Sequence, residues 1–158
     1  MKDYCIRATA ADGAMRIFVA TSRDLVASAQ RIHSLSPVAS AALGRLLTAS
    51  SIMGLMMGND SDILTASIRG DGPLGGLLVC ADGLGNVRGY AHNPAVDIPL
   101  KPNGKLDVSG AIGQGRFNII KDMGLREPYM GSTSVSPRAL IKPYPATFFS
   151  GFGYPHTS

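Results

Sequence analysis

The residues whose types and spacing could do chemistry are few. Gly70-x-Gly72-x-x-Gly75 has the glycine spacing of a dinucleotide-binding loop, with Asp71 inside it and Asp82 and His92 further along. In such a loop the glycines let the backbone approach a pyrophosphate, and the N-terminus of the next helix faces the phosphates with the positive end of its dipole. His92 beside Asp82 or Asp97 would then be the general base. That reading describes a small-molecule or nucleotide-binding enzyme. Its weakness is local: Pro73 sits inside the loop, and Gly76-Leu77-Leu78-Val79-Cys80 continues as strand, so no helix is expected to begin there. A glycine-rich turn between two strands is the expectation.

Metal and thiol chemistry is no better supplied. His33, His92 and His156 have no second histidine or cysteine at the close spacing that zinc ligands usually show. His33 is expected to complement the C-terminal end of a helix dipole. Cys5 and Cys80 are the only cysteines and form no C-x-x-C pair, so neither a disulfide framework nor a redox motif is expected. Cys80 should be an inert thiol buried in an apolar strand, and proximity of Cys5 to Arg7 does not by itself make a reactive thiolate. Met53, Met56 and Met57 could form an adaptable binding surface, but at the end of an apolar helix they read as packing. No catalytic, cofactor-binding or metal-binding residue is assigned on these grounds, and no enzyme is expected.

The elements that would position these residues follow from pattern. Tyr4–Ala10 and Ala14–Ala20 alternate like strands around Asp12-Gly13, a pair that tolerates positive φ and suits a hairpin. A helix follows, capped by Thr21 or Ser22, with Asp24 in its first turn and Leu25, Ala29 and Ile32 at helical spacing. Ser36-Pro37 starts a second helix, about Val38 to Met57, in which Arg45 is the only charge. Its length could span a bilayer. Arg45 would cost roughly 2.5–3.5 kcal/mol near the bilayer centre, and small residues insert weakly, so a buried core helix is expected instead. Asp62–Arg69, Gly76–Ala81 and Val87–His92 read as an antiparallel meander. Asn93–Pro102 should be an extended connection, Leu106–Ile112 a short helix, and Gly115–Ile120 and Pro128–Val135 further strands. The expected class is α+β, with antiparallel or mixed sheets packed against a largely buried apolar helix.

The 158 residues, 45% hydrophobic and 16% charged, suit one compact domain. The net charge of +4 is dispersed from Lys2 to Lys142, without the stripe or patch that nucleic-acid binding requires. Asp3, Arg7 and Asp12 interrupt any signal-peptide run, so a cytoplasmic location is expected. Residues 137–158 break with the rest: they hold five of the ten Phe and Tyr, four of the ten Pro and no acidic residue.

Several blocks together are recognisable. Ala39-Ser40-Ala41-Ala42-Leu43-Gly44-Arg45-Leu46-Leu47-Thr48-Ala49, Ile68-Arg69-Gly70-Asp71-Gly72-Pro73-Leu74-Gly75 and Val87-Arg88-Gly89-Tyr90-Ala91-His92-Asn93-Pro94 come first. Gly104-Lys105-Leu106-Asp107-Val108 and Lys121-Asp122-Met123-Gly124-Leu125-Arg126-Glu127-Pro128-Tyr129 follow. In this order and spacing the chain resembles the redox-regulated 33 kDa heat-shock chaperone family from about Met1 to Ser136.

The resemblance implies a holdase that binds unfolding client polypeptides without ATP during oxidative stress, active as a homodimer; the dispersed charge and the Arg45 helix separately argue against nucleic acid and membrane as partners. It also implies a C-terminal domain whose four cysteines hold zinc while reduced and release it on oxidation. Neither Cys5 nor Cys80 matches those cysteines, so no cofactor is expected in this chain. The expected organisation is an N-terminal chaperone core over residues 1–136. Residues 137–158 are then an atypical Pro/aromatic tail from a shifted frame or truncation, the zinc domain being absent.

Overall fold

The structure, a computed structural model, describes residues 2–135. The expectations for residues 137–158, His156 included, lie outside them. A hairpin of β1 (Cys5–Ala10) and β2 (Met15–Ala20) leads into α1 (Arg23–His33) and α2 (Pro37–Leu55). There follow β3 (Ile63–Gly70), β4 (Gly76–Asp82), β5 (Val87–Ala91), α3 (Val108–Ile112), β6 (Gly115–Asp122) and β7 (Tyr129–Val135). The class is α+β, as expected, and every strand pair among the described residues is antiparallel.

α2 is the axis of the core. Ser36 caps it by accepting from the Ala39 N–H (3.2 Å), and Pro37 opens its first turn without a wasted donor. Val38, Leu43, Leu46, Leu47 and Met53 are buried around several sides of it, which is why no amphipathic stripe shows in its sequence. The helix is long and apolar enough to cross a membrane, yet most of it is buried inside this domain. It lies against a five-stranded sheet ordered β5-β4-β3-β6-β7. Strand alternation places Leu64, Ala66 and Ile68 of β3, Leu77, Val79 and Ala81 of β4, and Phe117 and Ile119 of β6 on the helix side. The meander β3-β4-β5 forms as its sequence predicts, and β6 returns to the free side of β3 rather than to β5.

Three local expectations are corrected. The hairpin loop is four residues, Ala11–Ala14, because Ala10 pairs with Met15; Ala11 and Asp12 both adopt φ 52° before Gly13 at φ 89°. Neither Thr21 nor Ser22 caps α1 through its side chain. Asp3 does so from outside, its Oδ2 accepting from the Leu25 N–H at 2.7 Å, while the Thr21 hydroxyl accepts from the Tyr4 N–H at 3.0 Å. The third helix starts at Val108, not Leu106, because Asp107 is its cap and accepts from the Gly110 N–H at 2.9 Å.

Two glycines set how closely α2 approaches its neighbours. A Cβ on Gly54 would run into the Asp82 carbonyl oxygen of β4, which cannot move without breaking the sheet. A Cβ on Gly44 would meet only the Val26 methyl groups of α1, at 2.8 and 2.9 Å. Alanine otherwise favours a helix by about 1 kcal/mol over glycine, so the pair isolates the contact. Gly54→Ala should destabilise by about 1–3 kcal/mol in urea unfolding, whereas Gly44→Ala should be near neutral as Val26 turns aside. Equal losses would contradict this account of the packing.

Candidate functional site

The Gly70–Gly75 segment is a turn, and its hydrogen-bonding groups are already engaged. The Gly72 N–H donates to the Ile112 carbonyl (3.0 Å) and the Leu74 N–H to the Ala111 carbonyl (2.9 Å). Asp71 closes the clasp: its N–H donates to the Gln114 carbonyl (2.9 Å), and its Oδ1 accepts from the Gln114 N–H (2.7 Å). The helix end facing the loop is thus the C-terminal, carbonyl-bearing end of α3, whose polarity repels a phosphate. A Cβ on Gly72 would lie 2.5 Å from the Ala111 oxygen, so this glycine serves close backbone approach within the fold. The glycine spacing is real; the cradle it suggests is occupied by the protein itself.

Asp71, Asp82 and His92 do not converge on a reaction centre. Asp71 precedes β4 and Asp82 ends it, roughly 20 Å apart along an extended strand. Asp82 holds the β4–β5 turn, accepting from the Asn86 side chain (2.8 Å) and from the Asn86 and Leu84 N–H groups (2.9 and 3.0 Å). The Asn86 side-chain bond is the main reason its carboxyl titrates below the ordinary 3.8. The His92 ring is exposed and stacks on Tyr90, with centroids 5.6 Å apart. Neither Asp82 nor Asp97 is bonded to it. The other displaced groups are also structural: Asp107 is lowered by its helix-cap bonds, and Lys121, lying over the Tyr129 ring at 5.9 Å, is lowered by burial.

The thiols and methionines divide differently from the sequence expectation. Cys80 is only half-buried, because alternation along β4 puts it on the face away from α2, beside the Thr65 hydroxyl at 3.6 Å. Cys5 is exposed on β1. His33 is in the last turn of α1 as expected. Met53 is buried, while Met56 and Met57 are half-buried at the end of α2.

What the structure leaves uncovered is apolar surface. In the β1–β2 register Ile6, Ala8 and Ala10 share one face with Val19, Ile17 and Met15. All six are exposed, Ile6, Met15 and Val19 by more than half (54%, 54% and 56%), so an unbroken apolar face of an isolated ribbon meets solvent. The opposite face carries Arg7, Thr9 and Arg16, with Phe18 and Ala20 half-buried where β2 touches α2. The outer face of the large sheet adds Tyr90, Ile63, Ile120 and Met130 among Arg, Ser, Thr and Asn side chains. Sequence alternation marked the ribbon's two faces. It carried no sign of which one the rest of the fold would leave bare.

This arrangement has close relatives. The Hsp33 protein family model matches residues 3–150. The chain belongs to the Hsp33 family. It is similar to the 33 kDa chaperonin of Clostridioides difficile, 54% identical over 133 residues that cover 84% of this chain and 46% of that protein. Its identity to the 33 kDa chaperonin of Alkaliphilus metalliredigens is 45% over 150 residues, covering 94% and 51% respectively. The crystal structure of the Thermotoga maritima 33 kDa chaperonin superposes with a TM-score of 0.79 at 32% identity, covering 84% of this chain and 46% of that one. The chain thus spans about half the length of the curated relatives it matches.

The zinc centre that the Hsp33 resemblance implies needs four cysteine ligands. Cys5 lies on the ribbon and Cys80 on the large sheet, and among the described residues no group of three or more His, Cys, Asp or Glu could hold a metal. These residues do not fit such a centre.

The α3 cap carries a pH signature. Asp107 accepts from the Gly110 N–H and the Ser109 hydroxyl and pairs with Lys101 at 3.2 Å, which holds its carboxyl below the ordinary 3.8. A depressed folded value contributes stability that is complete above the unfolded value and is lost as pH falls through the folded one. Asp107→Asn keeps a capping side chain but no titration. Its melting temperature should fall less steeply than that of the parent as pH drops below the ordinary carboxylate value of 3.8, where the parent progressively loses the stability of its charged cap.

Proposed function

We propose that this domain is the polypeptide-binding part of an ATP-independent holdase in the cytoplasm, which captures unfolding proteins under stress. Family membership supports a chaperone role, since the relatives at about half identity are named 33 kDa chaperonins. The single observation that carries the binding mode is the bare ribbon face of Ile6, Ala8, Ala10, Met15, Ile17 and Val19. Burying such surface against a client's exposed apolar side chains returns about 25 cal/mol per Å², with no nucleotide required. The interaction is non-directional, which suits a partner defined by being unfolded rather than by sequence.

In this reading neither thiol lies on the ribbon's apolar face, so binding by that face is independent of redox state and of metal. Two such domains in a homodimer would present two ribbons to one client, raising its effective affinity. Membrane and nucleic acid are not partners in this reading: among the described residues the one helix of membrane-spanning length packs into the core, and the cations are dispersed. Nothing favours the nucleotide-enzyme alternative at Gly70–Gly75, whose donors are bonded to α3 and Gln114.

The test is light scattering of a chemically unfolded client diluted into buffer with the reduced protein, without ATP. Suppression near stoichiometry is expected, and the double variant Ile17→Glu, Val19→Lys should weaken it several-fold while leaving the cooperative melt in place, because both positions are exposed. A folded parent that suppresses nothing overturns the proposal. Full activity in the double variant would move the binding surface away from the ribbon.

A further inference from the structure

β5 is an edge strand, and its free side faces a groove. At the ends of the β4–β5 ladder the His92 N–H donates to the Gly76 carbonyl (3.0 Å) and the Asn86 carbonyl accepts from the Asp82 N–H (3.1 Å). The even-numbered residues are therefore the hydrogen-bonded partners of β4, and Val87 and Gly89 turn their N–H and C=O groups outward. Beside them lies an open groove of about 600 Å³. It is lined by Leu25, Ala29 and Ile32 of α1 and by side chains from both faces of β5, so it runs along the strand's open edge. Ile32 is 71% exposed there, an apolar wall without cover.

Charge narrows the occupant. Arg88 and His33 line the groove and no carboxylate does. A second copy pairing β5 with β5 would bring its own Arg88 and His33 into the same slot, and residues 137–158 contain no acidic residue to meet them. An extended segment of an unfolding client can supply what both lack. Its backbone satisfies Val87 and Gly89, alternate apolar side chains meet α1, and a carboxylate faces Arg88.

We infer that the open edge of β5 and the facing side of α1 form a slot for one extended client strand, apolar at alternate positions and bearing an acidic residue. This rests on the polypeptide-binding reading and gives it a second, directional subsite beside the ribbon.

The experiment is amide hydrogen exchange followed by NMR on the whole reduced chain. The probe is a peptide of about eight residues, valine alternating with serine and carrying one glutamate, beside its lysine counterpart. Slowed exchange at Val87 and Gly89 is expected, and anisotropy should show the glutamate peptide binding about threefold more tightly. Arg88→Glu should reverse that order. Val87→Pro should abolish peptide binding while the melt stays cooperative at a somewhat lower midpoint, because proline is tolerated at the first residue of an edge strand but the Val87 side chain also packs against the core. Protection confined to the ribbon would overturn the slot while leaving client binding intact. Protection of β5 that rises with protein concentration in the absence of peptide would assign the edge to a second copy, and also overturn it. Failure to suppress client aggregation in the same preparation would instead strike the polypeptide-binding reading.

Discussion

The need to cover most of α2 organises this domain. A helix of nineteen residues with a single charge cannot lie on a surface, so it draws the sheet to one side, α1 to another and α3 to a third. Its small residues make this possible. Gly54 lets it settle onto the β4 carbonyls and Gly44 admits Val26. The sheet in turn needs only one apolar face, and its other face is left mixed. The β1–β2 ribbon touches α2 with only one face, attaches through Asp3, Tyr4 and Thr21 at the start of α1, and leaves its other face exposed. The stability of the fold and the proposed binding surface are thus carried by different residues, so apolar side chains stay exposed without loosening the core.

The same enclosure explains the Gly70–Gly75 loop. Joining β3 to β4 against the end of α3 requires backbone to pass backbone with no Cβ between them, at Gly70 and Gly72. Glycine spacing of this kind arises whenever two chain segments approach closely, and a phosphate is only one such neighbour. What distinguishes the cases is the polarity of the helix end that faces the loop, and here it presents carbonyls.

Much of the fold was legible because its signals are local. Ser36-Pro37 marks the start of α2, Asp82 to Asn86 marks the β4–β5 turn, and alternation marks β3 and β6. What could not be read depends on distant partners. Asp3 caps α1 from a hairpin away, β6 chooses β3 over β5 after a long connection, and Cys80 faces outward because of where α2 lies. The candidate surface was the least legible part. Whether an apolar face such as Ile6, Ile17 and Val19 is core or interface is decided by what else competes to cover it, and no window of sequence contains that competition. The same holds for the β5 edge, where the free donors follow from register.

The proposed binding of unfolded polypeptide by these residues needs no energy source, metal or oxidation. The most direct measurement is the binding isotherm of a permanently unfolded, fluorescently labelled client against the reduced protein in chelator and without nucleotide. Saturable binding is expected, unchanged when oxidant or ATP is added. A protein with a cooperative melt that shows no binding, or binds only after oxidation, would contradict it.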